Sequence, residues 1–420
     1  MSEAAAFAAF AAPQALAGLR VLDMSGLAGQ YCGKLFADLG ADVILVEPPG
    51  GSAVRREGPF LDERAHPEYS LTFGYLNAGK RAIGLDLDHP EGQRVLKALA
   101  AKADLLIESD KPGVAVRRGL DAAALRALSP RLVVTSITPF GQTGPFAQYE
   151  SEELIALALG GLLYLGGYAD SAPMAAAGNL AYFAAAQFAA VASMTALWAS
   201  EGPQGEGRHV DVSIQESVVM AMENAIQFFD LEGSVRKREA GQQKLAGMGV
   251  FDCLDGQVYL MAGGIASSTF WRSTTQWLVE ADVPDAAQLA EAQWSDADYL
   301  ATDEAKAIFS SLFGPFAAAR TKEQLYRDGQ GRRIPICPIQ TPSDLVGDRQ
   351  LAHRGFFVPL QHPASGRTLT VPGAPYALSK TPWRLAGSAP RLGEHTAQVL
   401  GELGIAAGEM AALLQSGAIH

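Results

Sequence analysis

The stretch RVLDMSGLAGQYCGKLFADLGADVILVE, residues 20–47, decides the fold of this 420-residue chain. It begins with a short apolar strand, Arg20 to Asp23, and ends with a second one, Asp42 to Glu47. A Gly/Ser turn and an amphipathic helix from Tyr31 to Leu39 lie between the two strands. Short connections from strand to helix to strand are typical of a βαβ unit, which places both strands in a parallel sheet.

The same alternation of strands and helices continues downstream. One helix candidate begins with a proline, as is common at helix N-termini. The further strand candidates are 82–85, 104–108 and 132–137, and the helix candidates are 90–102 and 120–128. The sequence therefore predicts an α/β fold with a Rossmann-like parallel sheet that continues to about residue 200.

The second half of the chain differs in character. Charged residues cluster at 236–239, a hairpin is predicted around Asp255-Gly256, and prolines become frequent after Gly329. We expect a large Rossmann-like domain whose first part is 18–205 and whose C-terminal part is 386–420. Within the C-terminal part, the tail 393–414 is predicted to be helical and to return to the first sheet. The remaining segments are then a linker helix within 206–235, a small α+β domain at 236–328 and an extended return linker at 329–385.

Composition excludes several classes of partner and site. The net charge of -12 gives no electrostatic attraction to nucleic acid or to an anionic membrane surface. The cysteines Cys32, Cys253 and Cys337 lie far apart, and neither they nor the seven histidines have metal-ligand spacing, so no metal site is predicted.

The location of the protein is predicted from its apolar segments. The N-terminal residues 1–17 are rich in alanine and lack a basic region, which argues against a signal peptide. The apolar stretch 180–198 has spanning length, but alanine dominates it and Tyr182, Gln187 and Ser193 interrupt it. We expect a buried core helix there, and a cytoplasmic protein.

Seven short blocks occur in the order typical of one enzyme family. They are 21–23, 37–43, 77–81 with 85–92, Phe140 to Pro145, Gly178 to Phe183, Gly207 to Ser213 and Arg391 to Thr396. Because they span nearly the whole chain, the sequence resembles the family III CoA-transferases, the group of formyl-CoA transferase and carnitine CoA-transferase. The resemblance implies a large Rossmann-type domain and a small domain joined by two linkers, with two subunits threaded through each other as an interlocked dimer.

The resemblance also implies a nucleophilic aspartate at position 182, where this chain has Tyr182. In the family this carboxylate attacks an acyl-CoA thioester to give an enzyme anhydride, which CoA thiolate then converts to an enzyme thioester. A phenol of pKa near 10 does not support these steps. The racemase branch is disfavoured too, because Glu152 stands near its histidine position. We therefore expect no catalytic residue in this chain.

Two other carboxylates stand close to the family's active-site segments. Asp170 lies in a Gly-rich turn, where an Asx-turn role is the simpler interpretation. Glu153 aligns with an acidic residue that the family keeps near its active site, and a supporting role suits it better than that of a nucleophile.

The resemblance assigns a CoA-binding role to Ala28, Gly29 and Arg117, with Arg118 beside the last. For each arginine a solvated surface position is the alternative interpretation. Several features weaken this site. The turn that carries Ala28 and Gly29 is one residue shorter than in the family, with Gln30 in place of the usual proline. Ser109 and Asp110 replace an Asn and a Phe beside the nucleotide, and Asp110 is expected to repel a phosphate. The stretch 261–265 is either a remnant of a Gly-rich active-site loop or a strand-end turn.

Three functional interpretations follow. In the first, the chain is the non-catalytic subunit of a heteromeric family III CoA-transferase, a heterodimer or heterotetramer with a paralogous catalytic subunit. CoA and acyl-CoA are then substrates of the complex, and no cofactor is tightly bound. Heteromers of the family include one that uses succinyl-CoA and benzylsuccinate in anaerobic toluene degradation, and the sequence permits that pair. In the second, the chain is an active homodimeric transferase or lyase that uses another residue. In the third, it is a CoA-ester-binding regulatory protein without turnover.

Overall fold

The computed structural model of the protein describes residues 14–263 and 267–420. These residues divide into two units, the first built from 14–163, 175–235 and 351–420, and the second from 164–174 and 236–350. The Gly-rich stretch 261–265 singled out in the sequence runs into residues outside the described ranges.

A six-stranded parallel sheet forms the centre of the first unit. Its strands are β1 (Arg20–Asp23), β2 (Asp42–Glu47), β3 (Arg81–Gly84), β4 (Leu105–Glu108), β5 (Val133–Thr138) and β6 (His209–Ser213). The spatial order is β3-β2-β1-β4-β5-β6, and every neighbouring pair is parallel. This is the order of the doubly wound Rossmann fold, so the predicted fold class is confirmed.

Helices accompany the strands on both faces of this sheet. Those up to residue 235 are α1 (Gln30–Asp38), α2 (Leu71–Leu76), α3 (Pro90–Ala100), α4 (Val114–Arg118), α5 (Ala122–Leu128), α6 (Glu153–Leu159), α7 (Leu162–Leu165), α8 (Leu180–Ser200), α9 (Ile214–Val219) and α10 (Glu223–Glu232). Alternate residues of each strand face opposite sides, so Val21 belongs to one core cluster and its neighbour Leu22 to another. Burial on both faces explains why these strands are continuous apolar runs.

Helix α8 passes the length and hydropathy test for a membrane span, the one described helix that does. Its small residues Ala181, Ala185, Ala189 and Ser193 are fully buried. It packs against β5 and α1, and the Ser193 hydroxyl is 2.7 Å from the Thr135 hydroxyl of β5. These contacts agree with the predicted core helix. Other side chains of α8 remain exposed, among them Trp198 at 79%.

The second unit contains a three-stranded antiparallel sheet and an aromatic core. Its strands are β7 (Met248–Cys253), β8 (Gly256–Met261) and β9 (Ile336–Ile339), and the hairpin predicted around Asp255-Gly256 joins the first two. Trp271, Trp294 and Phe309 are buried in its interior, where Trp271 stacks on Trp294 and contacts Phe309 at a tilt. The helices between residues 267 and 346 are α11 (Ser267–Glu280), α12 (Ala297–Leu300), α13 (Asp303–Ala318), α14 (Lys322–Gly331) and α15 (Pro342–Val346).

Much of the segment 329–385, for which the prolines predict an extended linker, has regular structure. It includes the end of α14, then β9, α15, α16 (Arg349–Arg354) and a hairpin of β10 (Phe357–His362) and β11 (Arg367–Pro372). Residues 373–385 have neither helix nor strand.

The C-terminal tail returns to the central sheet, as the sequence predicts, but as two helices. They are α17 (Thr396–Glu402) and α18 (Ala407–Gln415). Gly404 separates them with φ of 85°, a left-handed conformation that glycine adopts without strain. The tail then bonds to the sheet beside β3, where Ile419 pairs with Leu85.

Candidate active-site crevice

The functional crevice of a Rossmann-type sheet lies where the strand order reverses, beyond the carboxyl ends of the two central strands. Here those strands are β1 and β4, which pair with each other. The loops that follow them meet directly, because the Gly26 N–H donates a hydrogen bond of 2.8 Å to the Ser109 hydroxyl. The topology therefore places the turn after β1 and the start of the loop after β4 at one site.

A cleft of about 250 Å³ opens at this crevice. Ala28, Ser109 and Tyr182, all singled out in the sequence, line it together. The sequence reasoning missed the other lining residues, which include Leu27, Lys111, Ile137, Ala147, Tyr149, Glu150 and Ile214. The structure thus brings the altered turn after β1 and the expected nucleophile position into one cavity.

Tyr182 lies in the first turn of α8, and Glu153 of α6 caps that turn. Asn179 precedes the helix but makes no side-chain capping bond. Instead the Glu153 carboxylate accepts hydrogen bonds from the N–H groups of Ala181, at 2.7 Å, and Tyr182, at 3.2 Å. Unpaired N–H groups and the helix dipole favour an anion at this end. Glu153 therefore occupies the anion position at the start of α8.

The phenol of Tyr182 remains protonated near neutral pH. Burial raises its pKa above the ordinary value of 10.0, and the negative charges of Glu153 and Glu152 raise it further. Burial also raises the pKa of Glu153, an effect opposed by the backbone N–H groups that it accepts. A neutral phenol cannot form the acyl anhydride that an aspartate forms, so Tyr182 supplies no carboxylate chemistry.

The two alternative carboxylates have different surroundings. Glu153 is engaged with the start of α8. Asp170 lies in the second unit, where it is exposed and accepts a 3.4 Å bond from the Ser171 hydroxyl.

A buried polar network supports the turn after β1. Lys80 donates to the carboxylate of Asp23, at 2.7 Å, and to the carbonyl of Gln30, at 2.8 Å. The Gln30 side chain in turn donates to the Ser25 carbonyl and to the Ser52 hydroxyl. All five residues are buried. Gln30 therefore holds the turn after β1 in place.

Packing against Ser25 requires a residue without a side chain at Gly29. It is buried, and a Cβ atom there would lie 2.5 Å from the Cβ of Ser25. Gly33, one helical turn later, has a similar reason, because its Cβ would overlap the Asp23 carboxylate. Both glycines allow α1 to approach the end of β1 closely.

The cations near the crevice are mostly committed to carboxylates. Arg118 pairs with Asp88 at 2.8 Å and with Asp110 at 3.3 Å, so Asp110 is not the bare repulsive charge that the sequence suggests. Lys111 pairs with Glu150 at 2.6 Å. Arg117 lies on α4, does not line the cleft, and forms no ion pair with another described residue.

Glu108, at the end of β4, is a buried acid that the sequence did not single out. Burial raises its pKa to about 7, although the Ser136 hydroxyl and the Asp110 N–H bond to it. Its position directly before Ser109 could have indicated its importance, but its burial depends on packing that one sequence does not show.

Comparison with known proteins assigns this architecture. The model of CoA-transferase family III matches residues 16–396. The chain belongs to the family III CoA-transferases. It is 39% identical to succinyl-CoA:(R)-benzylsuccinate CoA-transferase subunit BbsE of Thauera aromatica, over 96% of this chain and 97% of that protein. It is 30% identical to succinyl-CoA:mesaconate CoA-transferase of Haloarcula hispanica, over 94% and 98% of the two chains.

A solved structure shares the fold. The crystal structure of a CAIB/BAIF family protein from Brucella suis superimposes with a TM-score of 0.80 at 26% identity. The match covers 93% of this chain and all of that one. The family III fold therefore extends over nearly the whole protein.

Proposed function

We propose that this chain is the non-catalytic subunit of a heteromeric family III CoA-transferase, whose nucleophilic aspartate is supplied by a paralogous subunit. The observation that carries the proposal is Tyr182 at the start of α8, with Glu153 occupying the N–H groups there. The scaffold of the family is complete around this position. A chain that keeps the family fold but lacks the nucleophile completes a complex in which the partner subunit performs the covalent steps.

Exposed apolar side chains of the first unit support a partner chain. Trp198 and Val191 on α8 are 79% and 67% exposed, and Phe229 and Leu231 on α10 are 61% and 81% exposed. Large apolar groups exposed in such number on two helices are typical of a surface that another chain covers. We propose a heterodimer or a dimer of heterodimers.

The relatives support a choice of substrates. Both curated relatives described above are named as transferases that use succinyl-CoA, and BbsE is named as a subunit of the enzyme for (R)-benzylsuccinate. We propose succinyl-CoA as the CoA donor and an aromatic succinate such as benzylsuccinate as the acceptor, in the cytoplasmic anaerobic degradation of an aromatic compound. CoA enters as a substrate of the complex rather than as a bound cofactor.

Co-production with a paralogue tests the proposal. The full-length chain is produced alone and together with a paralogue that has aspartate in place of Tyr182, and succinyl-CoA-dependent formation of benzylsuccinyl-CoA is measured. We expect co-purification and turnover only for the pair, and loss of turnover when the paralogue's aspartate is changed to asparagine. Turnover by the isolated chain would support an active homodimer instead. Tight binding of an acyl-CoA by the isolated chain, with no co-purifying paralogue, would support a regulatory protein.

A further inference from the structure

A polar cleft of about 480 Å³ opens where the edge strand β6 begins. Arg126 of α5 lines it, together with Gln204, Glu206 and Arg208 from the chain between α8 and β6 and with His209, the first residue of β6. It shares no lining residue with the crevice cleft, which lies beyond the carboxyl ends of the central strands. No step of the transferase chemistry described above uses these residues.

The two arginines of this cleft have no carboxylate partner within ion-pair distance among residues 14–263 and 267–420. Arginines elsewhere in the first unit, such as Arg81 and Arg94, are paired with acids at 2.6–2.7 Å. The Nε atom of Arg126 is buried and has no hydrogen-bond partner in the described part of the chain. A buried guanidinium N–H without an acceptor is unfavourable, so this atom favours an acceptor that enters the cleft, either water or an anion.

His209 lines the cleft with these arginines, and its free ring nitrogen can donate a hydrogen bond to an anion when the imidazole is protonated. Its Nε2 atom is 2.9 Å from the Ser136 hydroxyl of β5, and its Nδ1 atom has no hydrogen bond to another described residue. Burial lowers the pKa of His209, the nearby charge of Arg126 lowers it further, and Asp211 opposes both. Arg126 is therefore close enough to His209 to influence the protonation of its imidazole.

The negatively charged groups at the cleft do not pair with Arg126 or Arg208. Glu206 lines the cleft but forms no ion pair with Arg126 or Arg208. Helix α8 ends at Ser200 beside the cleft, and its terminal carbonyls carry partial negative charge. None of these carbonyls accepts a described hydrogen bond from either guanidinium. The carbonyls at the end of α8 therefore do not serve as acceptors for the N–H groups of Arg126.

We propose that this cleft binds a small oxyanion, a phosphate or carboxylate group, between Arg126 and Arg208, and that His209 becomes a further donor when it takes up a proton. The planar N–H fork of a guanidinium matches the oxygen spacing of both groups, and charge-assisted bonds of this kind are the strongest hydrogen bonds in proteins. The proposal does not rest on the proposed function, because the site is separate from the crevice and from Tyr182.

The test measures anion binding by the full-length chain. Thermal unfolding is followed while inorganic phosphate or succinate is titrated, with sodium chloride keeping the ionic strength constant. A ligand that binds the folded state alone raises the melting temperature with concentration. We expect such a rise with at least one of the two anions, and the more effective anion identifies the source of the oxygen atoms.

Arg126→Gln and Arg208→Gln should each weaken binding about tenfold, the size expected for loss of a charge-assisted bond. Arg131→Gln, an exposed arginine outside the cleft, is the matched control and should leave binding unchanged.

A second readout separates ligand binding from a purely structural role. A bound anion should raise the pKa of His209, seen by NMR as a shift in the titration of its ring protons, and the shift should disappear in Arg126→Gln. Stabilisation no greater than that given by chloride would overturn the proposal. The proposal would also be overturned if the arginine variants lowered the melting temperature by the same amount with and without anion. The arginines would then only stabilise the end of helix α8.

Discussion

The carboxylate of Glu153 accepts a hydrogen bond of 3.2 Å from the backbone N–H of Tyr182. Its other oxygen accepts one of 2.7 Å from Ala181. The positive end of helix α8 is therefore already matched by an acid from a different helix. In this chain the expected nucleophile position presents a protonated phenol, and the neighbouring acid is committed to a structural bond.

Removing the Glu153 carboxylate should destabilise the protein. Glu153→Ala leaves the first N–H groups of α8 without their acceptor, and loss of such a cap typically costs about 1–2 kcal/mol. Urea unfolding of the variant measures the change in free energy. Glu152→Ala is the matched control, since Glu152 is exposed and makes no side-chain capping bond. Equal effects of the two substitutions would show that the cap contributes nothing specific.

Restoring an aspartate at position 182 should not restore turnover by the isolated chain. In Tyr182→Asp the new carboxylate would lie beside that of Glu153, and the shortened turn held by Gln30 would still lack the family's CoA contacts. Loss of two or three such contacts, at roughly 1–3 kcal/mol each, lowers CoA affinity by on the order of a hundredfold or more. Isothermal titration with CoA and an exchange assay measure both effects, with Tyr182→Asn as the uncharged control. Micromolar CoA binding with robust exchange by Tyr182→Asp would contradict this account.

The buried pair of Lys80 and Asp23 should be strongly coupled. Both side chains are fully buried, with 2.7 Å between the ammonium and the carboxylate. Lys80→Met leaves the Asp23 charge without its partner, which we expect to cost about 3–5 kcal/mol in urea unfolding. The double variant Asp23→Asn with Lys80→Met should recover much of this loss, because no buried charge remains. Strictly additive effects would mean that the pair is not coupled.

Stability should depend on pH through Glu108. Burial raises its pKa to about 7 in the folded protein, against 4.5 for the ordinary side chain. The folded state therefore holds the proton more tightly, so this contribution is fully present below about pH 4.5 and is lost as the pH rises towards 7. Glu108→Gln keeps an acceptor and cannot ionise, so it should raise the free energy of unfolding above pH 7 by up to about 3 kcal/mol. The exposed Glu232→Gln serves as control, and identical pH profiles for wild type and Glu108→Gln would refute the assignment.

The sequence predicts the central sheet well because burial on both faces leaves a continuous apolar signal in each strand. Strands β1 and β2 have the predicted bounds. Strands β3, β4 and β5 differ from their predicted bounds by no more than one residue at either end. The tail is less predictable. Its apolar spacing fits one helix, but Gly404 adopts a left-handed conformation and divides it.

The candidate site is only partly visible in the sequence, because its geometry depends on long-range side-chain pairs. Lys80 meets Asp23 across 57 positions, and Glu153 meets Tyr182 across 29. Asp110 illustrates the same difficulty. Its charge suggests repulsion of a phosphate, yet the fold brings Arg118 within 3.3 Å of it. The sequence identifies the positions of these residues, but the side chains that pair with them are visible only in the folded structure.

Trapping of the covalent intermediate tests the central claim most directly. The chain and its aspartate-bearing paralogue are incubated together with succinyl-CoA, treated with borohydride or hydroxylamine, and each subunit is examined by peptide mass spectrometry. A carboxylate that forms an acyl-CoA-derived anhydride or thioester is permanently modified by these reagents. We predict modification of the paralogue's aspartate and none on any carboxylate of this chain. Acyl-CoA-dependent modification of Glu153 or Asp170 would contradict the account, because this chain would then supply a nucleophile of its own.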